Sequence, residues 1–196
     1  MSAPDPIHPL AGTVRGHHGA AGGPPLRITV PAREIVQVML RRGQDAAFAA
    51  VLRNAFRMDV PGPGHAATGG DVTAIWVQPG QWVLSAPRAG EGALAARAAA
   101  AFVGLAAIAD QSHGRTTIRL SGPAAREALA RGCRLDLHPR VFGPGRAAST
   151  LIAQINCLIH QTDAAPGFDL TVFSTLAEPF LHWLLEAAAP YGVDIA

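Results

Sequence analysis

Asp110-Gln111-Ser112-His113 places an acid, a hydroxyl and an imidazole within four residues, the groups a nucleophilic hydrolase would use. Neighbours in an extended strand point to opposite faces, so this spacing does not make a triad. Asp110 and Ser112 share a face and are expected to cap nearby backbone groups. Asp59 and Asp136 follow helices at matching corners, where carboxylates commonly satisfy turn amides rather than act as an acid pair. Cys133 and Cys157 lie in apolar segments. Cys133 has only Arg134 beside it to lower its pKa, and both read as core thiols. His17-His18 sits near the N-terminus, while His65, His113, His138, His160 and His182 are spread over separate elements. There is no HExxH pattern and no Cys/His pairing, so no metal site is expected from spacing. Gly62-Pro63-Gly64 and Gly143-Pro144-Gly145 resemble phosphate loops superficially. A Walker loop needs Lys, a dinucleotide loop needs three spaced glycines, and proline removes the backbone donors both require. These are expected to be structural turns. Trp76, Trp82 and Trp183 fall at core positions. The resulting expectation is no catalytic residue and no metal ligand on this chain, with cofactor-binding residues unassigned.

Composition narrows the class. The chain has 196 residues, of which 49% are hydrophobic and 15% charged. That is a packed globule rather than a disordered chain. Mean hydropathy of +0.21 is raised by alanine, and the remaining apolar excess suits a subunit with a covered interface. All 16 basic residues are Arg, scattered except for Arg41-Arg42, and net charge is +2. A nucleic-acid surface would need clustered positive charge, so none is expected. The longest apolar run, Ala98 to Ala109, has 12 residues against the roughly 20 of a bilayer span. No secretory signal is visible at the N-terminus, and two cysteines without disulfide or metal spacing fit a reduced, cytoplasmic setting.

Residues Met1 to Pro25 are rich in Pro and Gly and read as a flexible tail, draping over a partner if ordered at all. Beyond it the apolar pattern predicts a strand over 26–30, a helix over 44–56, strands over 72–77 and 81–86 about the turn Gln78-Pro79-Gly80, a helix over 91–102 and a strand over 106–110. The second half predicts a strand over 116–120, a helix over 124–131 begun near Ser121, strands over 150–161 and 168–173, a helix from a Thr175-Leu-Ala-Glu178 capping box to about 189, and a strand over 192–195. Both halves read βαββαβ. Local residues repeat as well: Phe56-Arg-Met-Asp-Val-Pro61 echoes Cys133-Arg-Leu-Asp-Leu-His-Pro139, and Gly62-Pro-Gly-His-Ala-Ala-Thr68 echoes Gly143-Pro-Gly-Arg-Ala-Ala-Ser149. The expected fold is α+β, with two tandem ferredoxin-like units over 26–111 and 112–196 pairing about a pseudo-twofold as one duplicated body.

The stretch from Asp110 to Pro139, with Gln78-Pro-Gly-Gln-Trp-Val-Leu84 upstream and Ser174-Thr-Leu-Ala and Trp183-Leu184 downstream, resembles the gamma subunit of heterotetrameric sarcosine oxidase. The likeness runs from about Leu26 to the C-terminus. It departs at Phe173, where the family commonly has Arg before the Ser, so a contact made by that Arg does not carry over. The resemblance implies the fold of the folate-binding domain of glycine-cleavage aminomethyltransferase. It also implies alpha, beta and delta partners in an oxidoreductase that demethylates sarcosine to glycine, releasing hydrogen peroxide with formaldehyde or methylenetetrahydrofolate. FAD, FMN, NAD and zinc are then expected on partner subunits, with tetrahydrofolate in the complex, and none bound by this chain alone. Three other readings stay open. The chain is a gamma-like subunit of a related N-methyl amino-acid dehydrogenase, a stand-alone folate-binding or one-carbon transfer protein, or a metal-binding protein using its histidines.

Overall fold

The computed structural model describes residues 9–10, 12, 15–20 and 24–196. The remaining residues of the expected tail, 1–8, 11, 13–14 and 21–23, lie outside the described residues. The elements in chain order are β1 Gly16–His18, β2 Leu26–Thr29, β3 Arg33–Leu40, α1 Asp45–Phe56, β4 Ala66–Gly69, β5 Val72–Gln78, β6 Gln81–Pro87, α2 Ala93–Ala101 and β7 Ala106–Asp110. There follow β8 Arg115–Ser121, α3 Ala125–Ala130, β9 Ala147–Ile152, β10 Ile155–Asp163, β11 Gly167–Phe173, α4 Ala177–Ala188 and β12 Val193–Ile195.

Two sheets result, ordered β4-β5-β6-β3-β7 and β1-β12-β2-β8-β11-β10-β9. The first contains the ferredoxin-like order: its fourth core strand β7 lies beside the first, β3, then the third, β6, and the second, β5. The second sheet repeats the order with one change. Strand β2 stands between β12 and β8, parallel to β12 and antiparallel to β8. The strand expected to open the first half therefore belongs to the second sheet. The strand that does open the first half is β3, which the sequence pattern hid because both of its faces are covered. Val36 and Val38 face one core and Ile35 another, so apolar residues run together instead of alternating.

Each sheet carries its own helices on one face. Phe48, Leu52 and Phe56 of α1 and Leu94 and Ala98 of α2 pack on Val36, Val72, Ala74 and Leu84. Phe102 joins them, with its ring 5.0 Å from Phe48 and 5.5 Å from Phe56. Phe180, Leu181 and Leu184 of α4 and Leu129 of α3 pack on Ile118, Leu120, Ile159, Phe168 and Leu170. Burying each such side chain contributes roughly 1.5–3 kcal/mol. The opposite faces of the two sheets meet in a thin layer where Ile35, Ile75 and Val83 touch Ala147 and Leu158. The order of layers is helix, sheet, sheet, helix.

Several boundaries differ from the sequence reading for identifiable reasons. The expected strand over 150–161 is a hairpin, β9–β10, turning at Ala153 and Gln154 with φ of 50° and 65°. A turn with two left-handed residues normally announces itself with Asn-Gly or Gly-Gly, and this one does not. Likewise β4 lies in what reads as loop, because Ala66-Ala67-Thr68-Gly69 has little strand propensity. The expected capping box at Thr175 does not form. A 3-10 turn over Ser174–Leu176 leads into α4 instead, without a side-chain cap, and α3 likewise starts uncapped after Ala124. The expected flexible tail supplies β1, which pairs with β12, and His17 Nδ1 lies 2.8 Å from Asp194 Oδ1. Among the described residues no helix is long and apolar enough to cross a membrane.

Candidate functional site

Most residue types singled out by sequence find local structural work. Asp110 Oδ1 accepts the Ser112 amide at 2.9 Å and its hydroxyl at 2.6 Å, while Ser112 Oγ accepts the Ile35 amide at 3.0 Å. This is the capping pair the shared face implied. His113 turns away toward Glu91, 3.6 Å from its carboxylate. Asp136 accepts the His138 amide at 2.9 Å, a turn role, whereas Asp59 pairs with Arg53 at 2.9 Å instead of satisfying a turn amide. The two aspartates stay in their own halves. Cys133 and Cys157 are buried and free. Burial pushes both thiols up, Cys157 the further. Neither serves as a thiolate at neutral pH. Trp82 is buried and donates to Pro61 O at 2.9 Å; Trp76 and Trp183 pack at the margins of the two cores. Among the described residues no three His, Cys, Asp or Glu side chains converge as a metal would require.

The two Gly-Pro-Gly loops are turns followed by strands, and they also meet. The Ala66 amide donates to Gly145 O at 2.8 Å, and the Ala147 amide donates to Gly64 O at 3.1 Å. His65 and Arg146 form a bridge between the strands, with Arg146 Nη1 2.8 Å from His65 Nε2. His65 Nδ1 lies 2.9 Å from Pro63 O, which leaves Nε2 to accept. Gly64 and Gly145 have φ of 75° and 77°, the left-handed region that favours glycine. Each loop thus donates one backbone hydrogen bond to the other.

The polar interior lies where the sheets face each other. Strand register lines up Arg119, Asp169 and His160 as one row across β8, β11 and β10, with Thr117, Thr171 and Leu158 in the row beside it. Asp169 is buried and takes Arg119 in a two-point contact, Nε to Oδ1 at 2.6 Å and Nη2 to Oδ2 at 2.9 Å. From the other sheet Arg33 Nη2 reaches Asp169 Oδ2 at 3.2 Å, so one carboxylate serves two guanidinium groups and ties β3 to β11. The Asp169 hydrogen bond holds Arg119 above its ordinary pKa. Burial, with the Arg33 and Arg119 charges, depresses the His160 imidazole below its ordinary pKa despite the opposing pull of Asp169. Thr117 and Thr171 hydroxyls share a hydrogen bond at 2.9 Å.

Next to this row a cavity of about 280 Å³ opens between the halves. Its walls include Arg33, Arg88 and Arg115, the hydroxyl-bearing Ser112, Thr116 and Ser174, and the apolar Pro31 and Ile35. Among the described residues that line it there is no glycine-rich turn of the kind that cradles a dinucleotide at a helix N-terminus. Sequence reading missed Arg33, Arg88, Arg115, Arg119 and Asp169. The available signal was a charged residue inside an apolar strand, Asp169 between Phe168 and Leu170.

The family described as "Sarcosine oxidase, gamma subunit family" matches residues 42–190. The chain is 37% identical over 149 residues to "Sarcosine oxidase subunit gamma" of an Arthrobacter species, covering 75% of this chain and 70% of that one. It is 34% identical over 172 residues to the protein of the same description from Corynebacterium sp. (strain P-1), covering 85% and 83%. Among solved structures, a chain of heterotetrameric sarcosine oxidase from Corynebacterium sp. U-96 superposes with a TM-score of 0.76 at 25% identity, covering 88% of each. Glycine cleavage system aminomethyltransferase T from Bartonella henselae superposes with a TM-score of 0.65 at 13% identity over 87% of this chain and 47% of that one, a likeness of fold alone.

Proposed function

This chain belongs to the sarcosine oxidase gamma subunit family, and on that premise we propose that it is the non-catalytic, structural gamma subunit of a heterotetrameric sarcosine oxidase. In this reading alpha, beta and delta subunits complete the assembly, in the cytoplasm. They carry FAD, FMN, NAD and zinc, and with tetrahydrofolate present the released one-carbon unit leaves as methylenetetrahydrofolate. The flavins would supply the oxidation of the N-methyl group, and this chain would supply surface and rigidity.

The observation that carries the reading is the family match over residues 42–190. Local geometry supports the non-catalytic part. The acids, thiols and hydroxyls that drew notice in the sequence are engaged in turns, caps and cores, and the buried Asp169 is neutralised by two arginines. Likeness to aminomethyltransferase T extends to fold only, and function lives in a site rather than in a fold.

Co-expression with and without the three partner subunits, followed by affinity capture on this chain, tests the proposal. Stoichiometric capture of all partners, and a sarcosine-oxidising activity that survives in rate per flavin while losing thermal half-life when this chain is omitted, is the expected result. A chain that remains alone in the presence of its partners would sink it.

A further inference from the structure

We propose that the cavity between the two halves is a binding site for a small organic carboxylate, held by Arg88 and Arg115. The site is a product of the duplication. Arg33 and Arg115 open the equivalent strands β3 and β8, and Arg88 and Ser174 follow the equivalent strands β6 and β11. Four strand ends thus converge on one opening, and three of them bring a guanidinium.

Charge at this opening is unbalanced. Asp169 answers Arg33, but it is shared with Arg119. Among the described residues, the Arg88 and Arg115 side chains make no hydrogen bond or ion pair, and no Asp or Glu lines the cavity. Arg115 is half-buried with its guanidinium 4.7 Å over the Phe173 ring, and its Nε is buried without a partner. Arg33 Nε is likewise buried and unpartnered. Burial lowers the Arg115 pKa, and among the described residues no carboxylate or hydrogen-bond acceptor answers the guanidinium, which has only the Phe173 ring beside it. A guanidinium presents a planar fork matched to a carboxylate, and Ser174, whose hydroxyl lies 3.1 Å from Thr116 Oγ1, adds a further polar group to the wall. Pro31 and Ala32, which line the cavity and reach solvent, offer contact for an apolar body, which favours an organic acid over a bare inorganic ion. The volume of about 280 Å³ sits near the lower end of small-ligand sites, so the ligand is compact.

Calorimetric titration of the full chain at low ionic strength with sodium benzoate, and separately with inorganic phosphate, tests this. Benzoate is expected to bind with a Kd of about 1 mM or tighter, with phosphate weaker. Arg88→Gln, on an exposed side chain whose loss leaves the fold intact, is expected to weaken benzoate about tenfold, as is Arg115→Gln. Arg140→Gln, outside the cavity, is expected to leave affinity unchanged. Silence of the wild-type chain toward benzoate overturns the site. So does unchanged affinity in Arg88→Gln, or phosphate binding more tightly than benzoate. The titration is independent of subunit capture, so its failure and that of the structural-subunit reading are distinguishable. Repeating it on the assembled complex separates a free ligand from a carboxylate side chain of a partner. Retained binding supports the site, and abolished binding overturns it in favour of the partner.

Discussion

Arg146 Nη1 stands 2.8 Å from His65 Nε2, and these two residues hold the same place in two copies of one loop. Each follows a Gly-Pro-Gly turn, and each leads into a strand whose first amide donates to the opposite loop. The contact joins two loops of like sequence, and each satisfies a backbone carbonyl of the other. His65→Ala removes two exposed hydrogen bonds, to Arg146 and to Pro63 O, and is expected to cost about 0.5–1.5 kcal/mol. Gly145→Ala, forced into the left-handed region, is expected to cost about 1–2 kcal/mol. Urea unfolding midpoints of the two variants against the parent check both values.

Replacing Asp169 by Asn leaves Arg33 and Arg119 facing each other across the sheets without a counter-charge. Losing one partner of a buried ion pair costs about 3–5 kcal/mol. The lower end is expected here, because the Arg119 side chain is 37% exposed and water shares its charge. Chemical denaturation measures it. A loss under about 1 kcal/mol would mean that solvent already screens the trio.

Acid should loosen the inter-sheet layer through His160. Its folded-state pKa lies below the ordinary value of 6.5, chiefly from burial. The unfolded chain therefore binds the proton more readily, so the stabilisation is complete above pH 6.5 and is lost as pH falls toward the folded value. His17 acts in the opposite sense. Its pKa is raised by the hydrogen bond it donates to Asp194, so its small contribution is present below pH 6.5 and fades as pH rises through the folded value. Melting temperature followed from pH 8 to pH 5 is expected to fall in the parent and to fall less in His160→Gln.

Both thiols should be inert in the folded chain. Cys157 is buried on the helix-facing side of β10, and desolvation raises both pKa values. Maleimide labelling at pH 7.5 is expected to be negligible over an hour in buffer and complete for two sites in urea. Rapid labelling of Cys133 in the native chain would show that the Cys133–Ile152 bridge opens readily.

Glu34 is a buried carboxylate whose Oε2 accepts the Leu94 amide at 3.1 Å, in the first turn of α2. The helix has no side-chain cap of its own, so this distant glutamate serves as one. Glu34→Ala is expected to cost about 1–3 kcal/mol through the lost acceptor and the space left behind. Hydrogen exchange at the Leu94 amide should accelerate beyond what global destabilisation explains.

The helices and the βαββαβ order were legible because amphipathic spacing survives in α1 and α4, and because Pro79-Gly80 marks its hairpin openly. Strand β3 was not, since a strand covered on both faces loses its alternation and Glu34 interrupts the apolar run. The Ala153-Gln154 turn carries no residue that favours its left-handed backbone. At the level of the site, local spacing identified Asp110 with Ser112 and could identify no more. Arg33, Arg115 and Asp169 are brought together by strand register and by two sheets folding face to face, neither of which is written in nearby residues.

The placement of β2 governs the order in which the molecule can be completed. Leu26–Thr29 emerges early in synthesis, yet its neighbours are β8 and β12, and the latter lies at Val193–Ile195. Strands β3 to β7 can assemble into their own sheet as soon as Asp110 is made, while β2 waits for β8, complete at Ser121, and then for β12. Its second edge closes only when Val193–Ile195 arrive. The N-terminal strand therefore acts as a clasp fastened by the C-terminus, and a chain that stops short of Val193 leaves it unfastened.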